Sequence, residues 1–182
     1  VSNTKALENM SVKSDIEKKL GYKIKIANDA DCLALSEAVD GAGSNYDSVF
    51  AVILGTGVGA GYSLNKKIIV GPNKLTGEWG QNPIPGPMDD YEKNVKRHCG
   101  RIGAIEVFLS GPGLENYYRY KTNSKKTSKE IVTLFYENNS HALEVMDMYF
   151  ERIARSFSTF VNILDPDIIV CGGGMSEIDN IY

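Results

Sequence analysis

The sequence predicts an α/β domain, and three observations carry that prediction. Two continuous apolar runs, residues 49–54 and 168–171, have the composition of strands buried on both faces. Each runs straight into a glycine cluster, Gly55-Thr56-Gly57 in one case and Gly172-Gly173-Gly174 in the other. Between them lies a segment whose apolar positions keep helical spacing for about six turns. Ligands gather where the strands of such a domain finish.

Taken in order, residues 12–21 read as a short amphipathic helix, with Val12, Ile16 and Leu20 four apart and Gly21 placed to stop it. A strand is predicted over residues 22–27, where apolar and basic residues alternate up to Asn28-Asp29. Cys32, Leu35, Ala38 and Val39 then recur at helical spacing as far as Gly41, which predicts a second helix with these residues on its apolar face. After the 49–54 strand, residues 60–64 and 67–70 flank the polar break Asn65-Lys66, the pattern of a hairpin. Residues 71–99 contain Pro72, Pro83, Pro85 and Pro87 with Gly77, Gly80 and Gly86, so a long functional loop is expected there. The strongest helix covers residues 141–164, with Leu143, Met146, Phe150, Ile153, Phe157, Phe160 and Leu164 inward and Asp165-Pro166 ending it. The last glycine turn is expected to open a helix capped near Ser176.

At 182 residues, 42% hydrophobic and 24% charged, the chain is long and apolar enough for one buried core. A formal net charge of -3 gives no overall attraction to nucleic acid or anionic lipid, and the basic run at 121–129 reads as a solvated loop. No apolar stretch reaches the roughly 18 residues of a bilayer span, so no membrane anchor is expected. Cys32, Cys99 and Cys171 are odd in number and far apart, which argues for free thiols in a reducing compartment, the cytoplasm. The chain opens at Val1 in helix-like sequence, as a piece of a longer protein would.

Candidate chemistry concentrates at the strand ends. Gly55, Gly57, Gly59 and Gly61 alternate after a buried strand, a pattern that suits either a phosphate cradled by backbone N–H groups or close packing of backbone. The 172–174 turn suits either a nucleotide at a helix start or a tight strand-to-helix turn with no ligand. Asp29 can act as the base that accepts a hydroxyl proton in phosphoryl transfer, or as the cap of the helix that follows. Glu78, Gln81 and Glu106, in or after the glycine-rich loop, suit either hydrogen bonds to a polyol or plain solvation, and Trp79 suits either the core or a stacking platform. His98 and Cys99 lack the further ligands that a structural zinc requires, and His141 is expected to face solvent.

Five motifs in order, Asn28-Asp29-Ala30-Asp31-Cys32, Leu54-Gly55-Thr56-Gly57-Val58-Gly59, Gly77-Glu78-Trp79-Gly80, Ser110-Gly111-Pro112-Gly113 and Cys171-Gly172-Gly173-Gly174-Met175, resemble the ROK sugar kinases. The resemblance implies an actin-like ATPase (ribonuclease H-like) fold in which ATP, with Mg²⁺, and a hexose meet between two lobes. Residues 1–27 would then close the N-terminal lobe and cross over, and residues 28–182 would form the larger C-terminal lobe, cut before its end. Asp29 would be the general base. Asn28, Glu78 and Glu106 would hold sugar hydroxyls, with Gln81 where the family has a histidine that orders the pocket. Gly55, Thr56, Gly57 and Gly59 would face the ATP phosphates, Gly111, Gly172, Gly173 and Gly174 would border the adenosine, and Thr4 would touch the sugar.

Segments 36–42, 78–83 and 162–167 look most like bacterial fructokinases with mannokinase activity, which make the 6-phosphate, with N-acetylglucosamine kinases as the alternative. Gln81, Arg97, Cys99 and Ala104 stand where the family binds zinc, so no structural zinc is expected. The family's phosphate-binding hairpin does not occur in these residues, and the piece is expected to be inactive on its own. A sugar-responsive repressor built on the same core is the reading from a different class. Family habit implies a homodimer.

Overall fold

The computed structural model describes residues 10–182, and Thr4 lies outside them. A four-stranded mixed sheet in the order β3-β2-β1-β4 organises the chain. β1 (Ser48–Leu54) pairs antiparallel with β2 (Val58–Leu64) and parallel with β4 (Ile168–Gly172), and β2 pairs with the short β3 (Lys67–Ile68). As its unbroken apolar run requires, β1 is covered on both faces, whereas β4 is only half-buried because it is the last strand of the sheet. The register of the parallel pair is set by side chains. Both the backbone N–H and the hydroxyl of Ser48 donate to Asp167 Oδ2 at 2.8 Å, and the Asp167 N–H donates back to Ser48 Oγ at 2.8 Å. Asn65 and Lys66 both adopt positive φ, 50° and 59°, giving a left-handed two-residue turn whose twist suits a hairpin.

The helix at the start of the described chain is α1 (Val12–Leu20), closed by Gly21 in the left-handed conformation. Residues 22–27 are not a strand: the alternation is present, but no described strand runs beside them to complete a ladder. Next comes α2 (Asp29–Val39), which buries Ala30, Ala34 and Ala38 and leaves Leu35 and Val39 exposed. Its inward face is therefore the small-residue stripe and not the larger side chains expected from the sequence. The cause lies across the interface at Gly61, where a Cβ would stand 2.4 Å from the Ala30 carbonyl oxygen and 2.8 Å from the Ala34 Cβ. Helix and strand approach so closely that neither accepts a larger side chain there.

Three helices form where the sequence reading predicts none: α3 (Glu106–Leu109), α4 (Gly111–Thr122) and α5 (Ser128–Tyr136). The starts of α4 and α5 carry legible caps, whereas α3 has no side-chain cap. Ser110 Oγ accepts from the Gly113 N–H, and Thr127 and Glu130 exchange side chain and backbone bonds in a capping box. The basic run at 121–129 thus spans the end of α4 and the start of α5, with Lys121 on Glu144 and Lys126 on Glu130. The Thr127 backbone N–H, then the Thr127 hydroxyl and Lys126, hold the Glu130 carboxyl down from 4.5 to about 2. A depressed folded value means that this contribution is complete above 4.5 and is lost as pH falls through about 2. Melting of Glu130→Gln beside the unsubstituted chain should show a stability gap at neutral pH that closes by about pH 2.

The long helix α6 (Ser140–Leu164) lies against α3, α4 and α5 and supplies much of the core. Trp79 is 6% exposed and meets Phe157 and Phe160 edge-on, so it belongs to the core and is not a stacking platform. A charged group is also central: Arg152, 1% exposed, lies 4.1 Å from the Tyr117 ring centroid and 5.2 Å from that of Phe108. Its Nε donates to the fully buried Glu92 at 2.8 Å, and Arg155 reaches the same carboxylate at 2.6 Å. Arg155 also donates to the Pro85 carbonyl oxygen at 3.0 Å, which fastens the proline-rich loop to α6. After β4 the chain turns through Gly173 into two short 3₁₀ helices, Gly174–Glu177 and Asp179–Ile181, so the α-helix expected there is absent from the described residues. Ser176 does not cap a helix, and its hydroxyl donates to the Gly173 carbonyl oxygen. Among the described residues no helix is long and apolar enough to cross a membrane, and the three cysteines are free thiols.

Candidate active site

Two clefts open at the glycine ends of β1 and β2. The larger, about 900 Å³, is lined by Asn28, Asp29, Asp31, Thr56, Gly57, Gly59, Glu78 and Glu106. The second, about 770 Å³, is lined by Gly55, Thr56, Gly111, Gly174, Met175 and Tyr136, among others. Thr56 belongs to both, so ligands in the two would meet at this residue.

The start of α2 settles which residue caps it. Asn28 Oδ1 accepts from the backbone N–H of Ala30 at 2.8 Å and of Asp31 at 3.2 Å, so the cap is Asn28 and not Asp29. The Nδ2 end of Asn28 has no hydrogen bond among the described residues, and Asn28 lines the cleft. Asp29 occupies the first helical position, exposed on the cleft wall, with Oδ1 3.0 Å from the Ala30 N–H and no hydrogen bond to Oδ2 among the described residues. Two residues along, Asp31 shares the wall. Partial burial, and after it the charge of Asp29, raise its carboxyl above the ordinary value.

Opposite stands the segment Gly77-Glu78-Trp79-Gly80-Gln81, a 3₁₀ turn laid flush on β2. Gly77 has φ 84°, and a Cβ there would stand 1.8 Å from the Ala60 carbonyl oxygen. The Ala60 N–H donates to the Gly77 carbonyl oxygen at 2.9 Å. With the Trp79 ring sunk in the core beside it, the exposed Glu78 is turned to the cleft. Gln81 does not line the cleft; its amide donates to Glu78 Oε2 at 3.3 Å and acts through that neighbour.

Glu106 enters from the start of α3. One oxygen accepts from Arg97 Nε at 2.8 Å, and the other lies 3.4 Å from the Val58 backbone N–H. The alternating glycines divide by role: Gly61 is a packing position, Gly57 makes room for Glu106, and Gly55 faces open space. The Gly111 N–H donates to the Gly55 carbonyl oxygen at 2.8 Å, which fixes the start of α4 beside the β1 turn. Of the glycines expected around a nucleotide, Gly174 lines the second cleft, while Gly172 and Gly173 do not. A Cβ on Gly173, φ 89°, would stand 2.5 Å from the Leu54 carbonyl oxygen, so this position serves backbone packing.

Sequence reasoning passes over Asp31, Lys74 and Thr76 in the larger cleft and Glu115, Lys129 and Tyr136 in the second. Asp31 has a signal, as a second acid two residues from Asp29; Lys74 is one lysine among many. At the positions where the resemblance places zinc ligands, Gln81 holds Glu78, Arg97 holds Glu106, and Ala104 is fully buried in a bridge with Pro83. Cys99 is exposed; the Arg101 backbone N–H, and then the Arg97 side chain, pull its thiol below the usual range. No three His, Cys, Asp or Glu side chains among the described residues are grouped to hold a metal ion, and these four positions do not fit a zinc site.

A mixed sheet with glycine turns at its strand ends and helices packed on it matches the actin-like ATPase fold of the ROK sugar kinases. The chain belongs to the ROK family, whose model matches residues 1–182. The N-acetyl-D-glucosamine kinase of Haemophilus influenzae is 33% identical over 187 residues, covering 100% of this chain and 62% of that protein. The enzyme of the same name from Vibrio cholerae is 35% identical over 184 residues, covering 99% of this chain and 61% of that protein. Among solved structures, the ROK hexokinase of Thermus thermophilus superimposes with a TM-score of 0.81 at 23% identity, over 92% of this chain and 56% of that one. The chain therefore spans about three fifths of the length of the curated relatives it matches. Those relatives bear the N-acetylglucosamine name, the alternative raised from the sequence, and not the fructokinase name.

Proposed function

We propose that the protein carrying this chain is an ATP-dependent sugar kinase of the ROK family, acting on an N-acetylhexosamine such as N-acetylglucosamine. The observation that carries the reading is the start of α2, where Asn28 makes the cap and the Asp29 carboxylate next to it faces a cleft lined with further carboxylates. In this reading Asp29 accepts the proton of the sugar hydroxyl as its oxygen attacks the γ-phosphorus of ATP, and ADP leaves. Glu78 and Glu106 accept hydrogen bonds from other hydroxyls, and the Asn28 amide donates to one, fixing the ring. ATP, brought with its Mg²⁺, would lie in the second cleft with its phosphates at Gly55 and Thr56. The relatives' names support the substrate class, and the cleft supports a polyol of hexose size.

The test is ADP release by the whole protein with Mg²⁺-ATP against N-acetylglucosamine, N-acetylmannosamine, glucose, mannose and fructose. N-acetylglucosamine is expected to give the highest kcat/KM. Turnover with fructose above that with either acetylated sugar would reverse the substrate assignment, and no sugar-dependent turnover would remove the kinase reading.

A further inference from the structure

We propose that the hairpin at residues 96–102 positions the carboxylates of the larger cleft, with Arg97 as its working residue; the inference rests on the sugar-kinase reading above. Arg97 does not line the cleft. It reaches the cleft through Glu106, donating from Nε to Oε1 at 2.8 Å, with the two side chains only 12% and 21% exposed. A pair so shielded from water holds its geometry better than a surface ion pair. The other Glu106 oxygen lies against the start of β2, 3.4 Å from the Val58 N–H.

The same hairpin controls the second carboxylate. Arg101 Nη1 donates to the Gln81 carbonyl oxygen at 2.8 Å, and the Gln81 side chain donates to Glu78 at 3.3 Å. The hairpin is closed by the Lys96–Ile102 bridge, by Arg97 N–H on the Arg101 carbonyl oxygen at 2.8 Å, and by Gly100 at φ 85° in its turn. Asp29, Asp31, Glu78 and Glu106 all line one cleft, and two arginines behind it offset part of that negative charge while setting where two of the acids point. A sugar whose hydroxyls meet a correctly aimed carboxylate binds tightly; one that must first reorient the acid does not.

The experiment is steady-state kinetics of the whole protein with varied N-acetylglucosamine and saturating Mg²⁺-ATP, for Arg97→Ala and Arg97→Lys. Arg97→Ala is expected to raise the sugar KM about tenfold, the loss of one charge-assisted hydrogen bond's worth of alignment. Its kcat and its KM for ATP should stay within about twofold. Arg97→Lys should recover part of the sugar KM, since an ammonium restores the charge but not the guanidinium fork. A purely structural role would lower kcat and melting temperature and leave the sugar KM alone. An unchanged sugar KM in Arg97→Ala overturns the inference with the kinase reading intact, and the same result for Arg97→Lys decides it should the alanine variant fail to fold. Absence of sugar-dependent turnover in the unsubstituted protein overturns the kinase reading and this inference with it.

Discussion

Asp29→Asn is expected to lower kcat about a thousandfold while leaving the sugar KM within a few-fold. The amide has nearly the shape of the carboxylate and its oxygen can keep the 3.0 Å contact with the Ala30 N–H, but it cannot take up a proton. Because Asn28 holds the helix cap, the substitution should leave the melting temperature of the protein unchanged, which separates loss of chemistry from loss of fold. ADP release and thermal melting measured on the same preparation check both halves. Turnover above about a tenth of the unsubstituted rate would take the base role from Asp29 and point to Asp31, which shares the cleft wall.

The second large effect is on stability. Glu92→Ala should cost about 3–5 kcal/mol, because it strips Arg152 of its fully buried partner and takes one partner from Arg155, which keeps Glu151 and the Pro85 carbonyl oxygen. Arg152 would retain Asp89 at 3.1 Å and the faces of Tyr117 and Phe108, but Asp89 is 38% exposed and its attraction is weakened by water. In urea unfolding the midpoint should fall with the slope unchanged, and melting should drop by about 10 °C. Replacing both members by apolar residues, as in Glu92→Leu with Arg152→Met, should restore much of the loss, since no charge is then left unpaired in the core. A loss below about 1 kcal/mol for Glu92→Ala would show that the aromatic faces and Asp89 suffice.

What the sequence made legible follows from how local each signal is. The apolar run of β1, the hairpin at Asn65-Lys66 and the length of α6 depend on neighbours in the chain, and all three formed as read. Of the candidate site residues, Thr56 and Glu78 sit in glycine turns that residue type alone makes visible, and Asn28-Asp29 at a helix start whose cap residue is also readable. Partnership across the chain was not visible. Residues 22–27 alternate like a strand, yet a ladder needs a second strand that no local pattern supplies. On α2 the apolar count favoured Leu35 and Val39, but the close approach of Gly61 admits only alanines. The burial of Arg152 has no local signal, because its partners Glu92 and Asp89 lie about sixty positions away. The Arg97 contact with Glu106 is hidden for a different reason: Arg97 and Glu106 belong to an irregular loop and to a short helix start, and no periodic pattern pairs them.

The oxygen of the Asn28 amide is committed to the helix, and in the proposed reading its nitrogen serves the cleft that Asn28 lines. Serine or threonine could satisfy the first but would offer a shorter reach to the second; aspartate could satisfy the first but would set another negative charge beside Asp29. Under the proposed reading, one amide therefore serves both the fold and the sugar, and replacing it should disturb the helix start and the neighbouring cleft wall together.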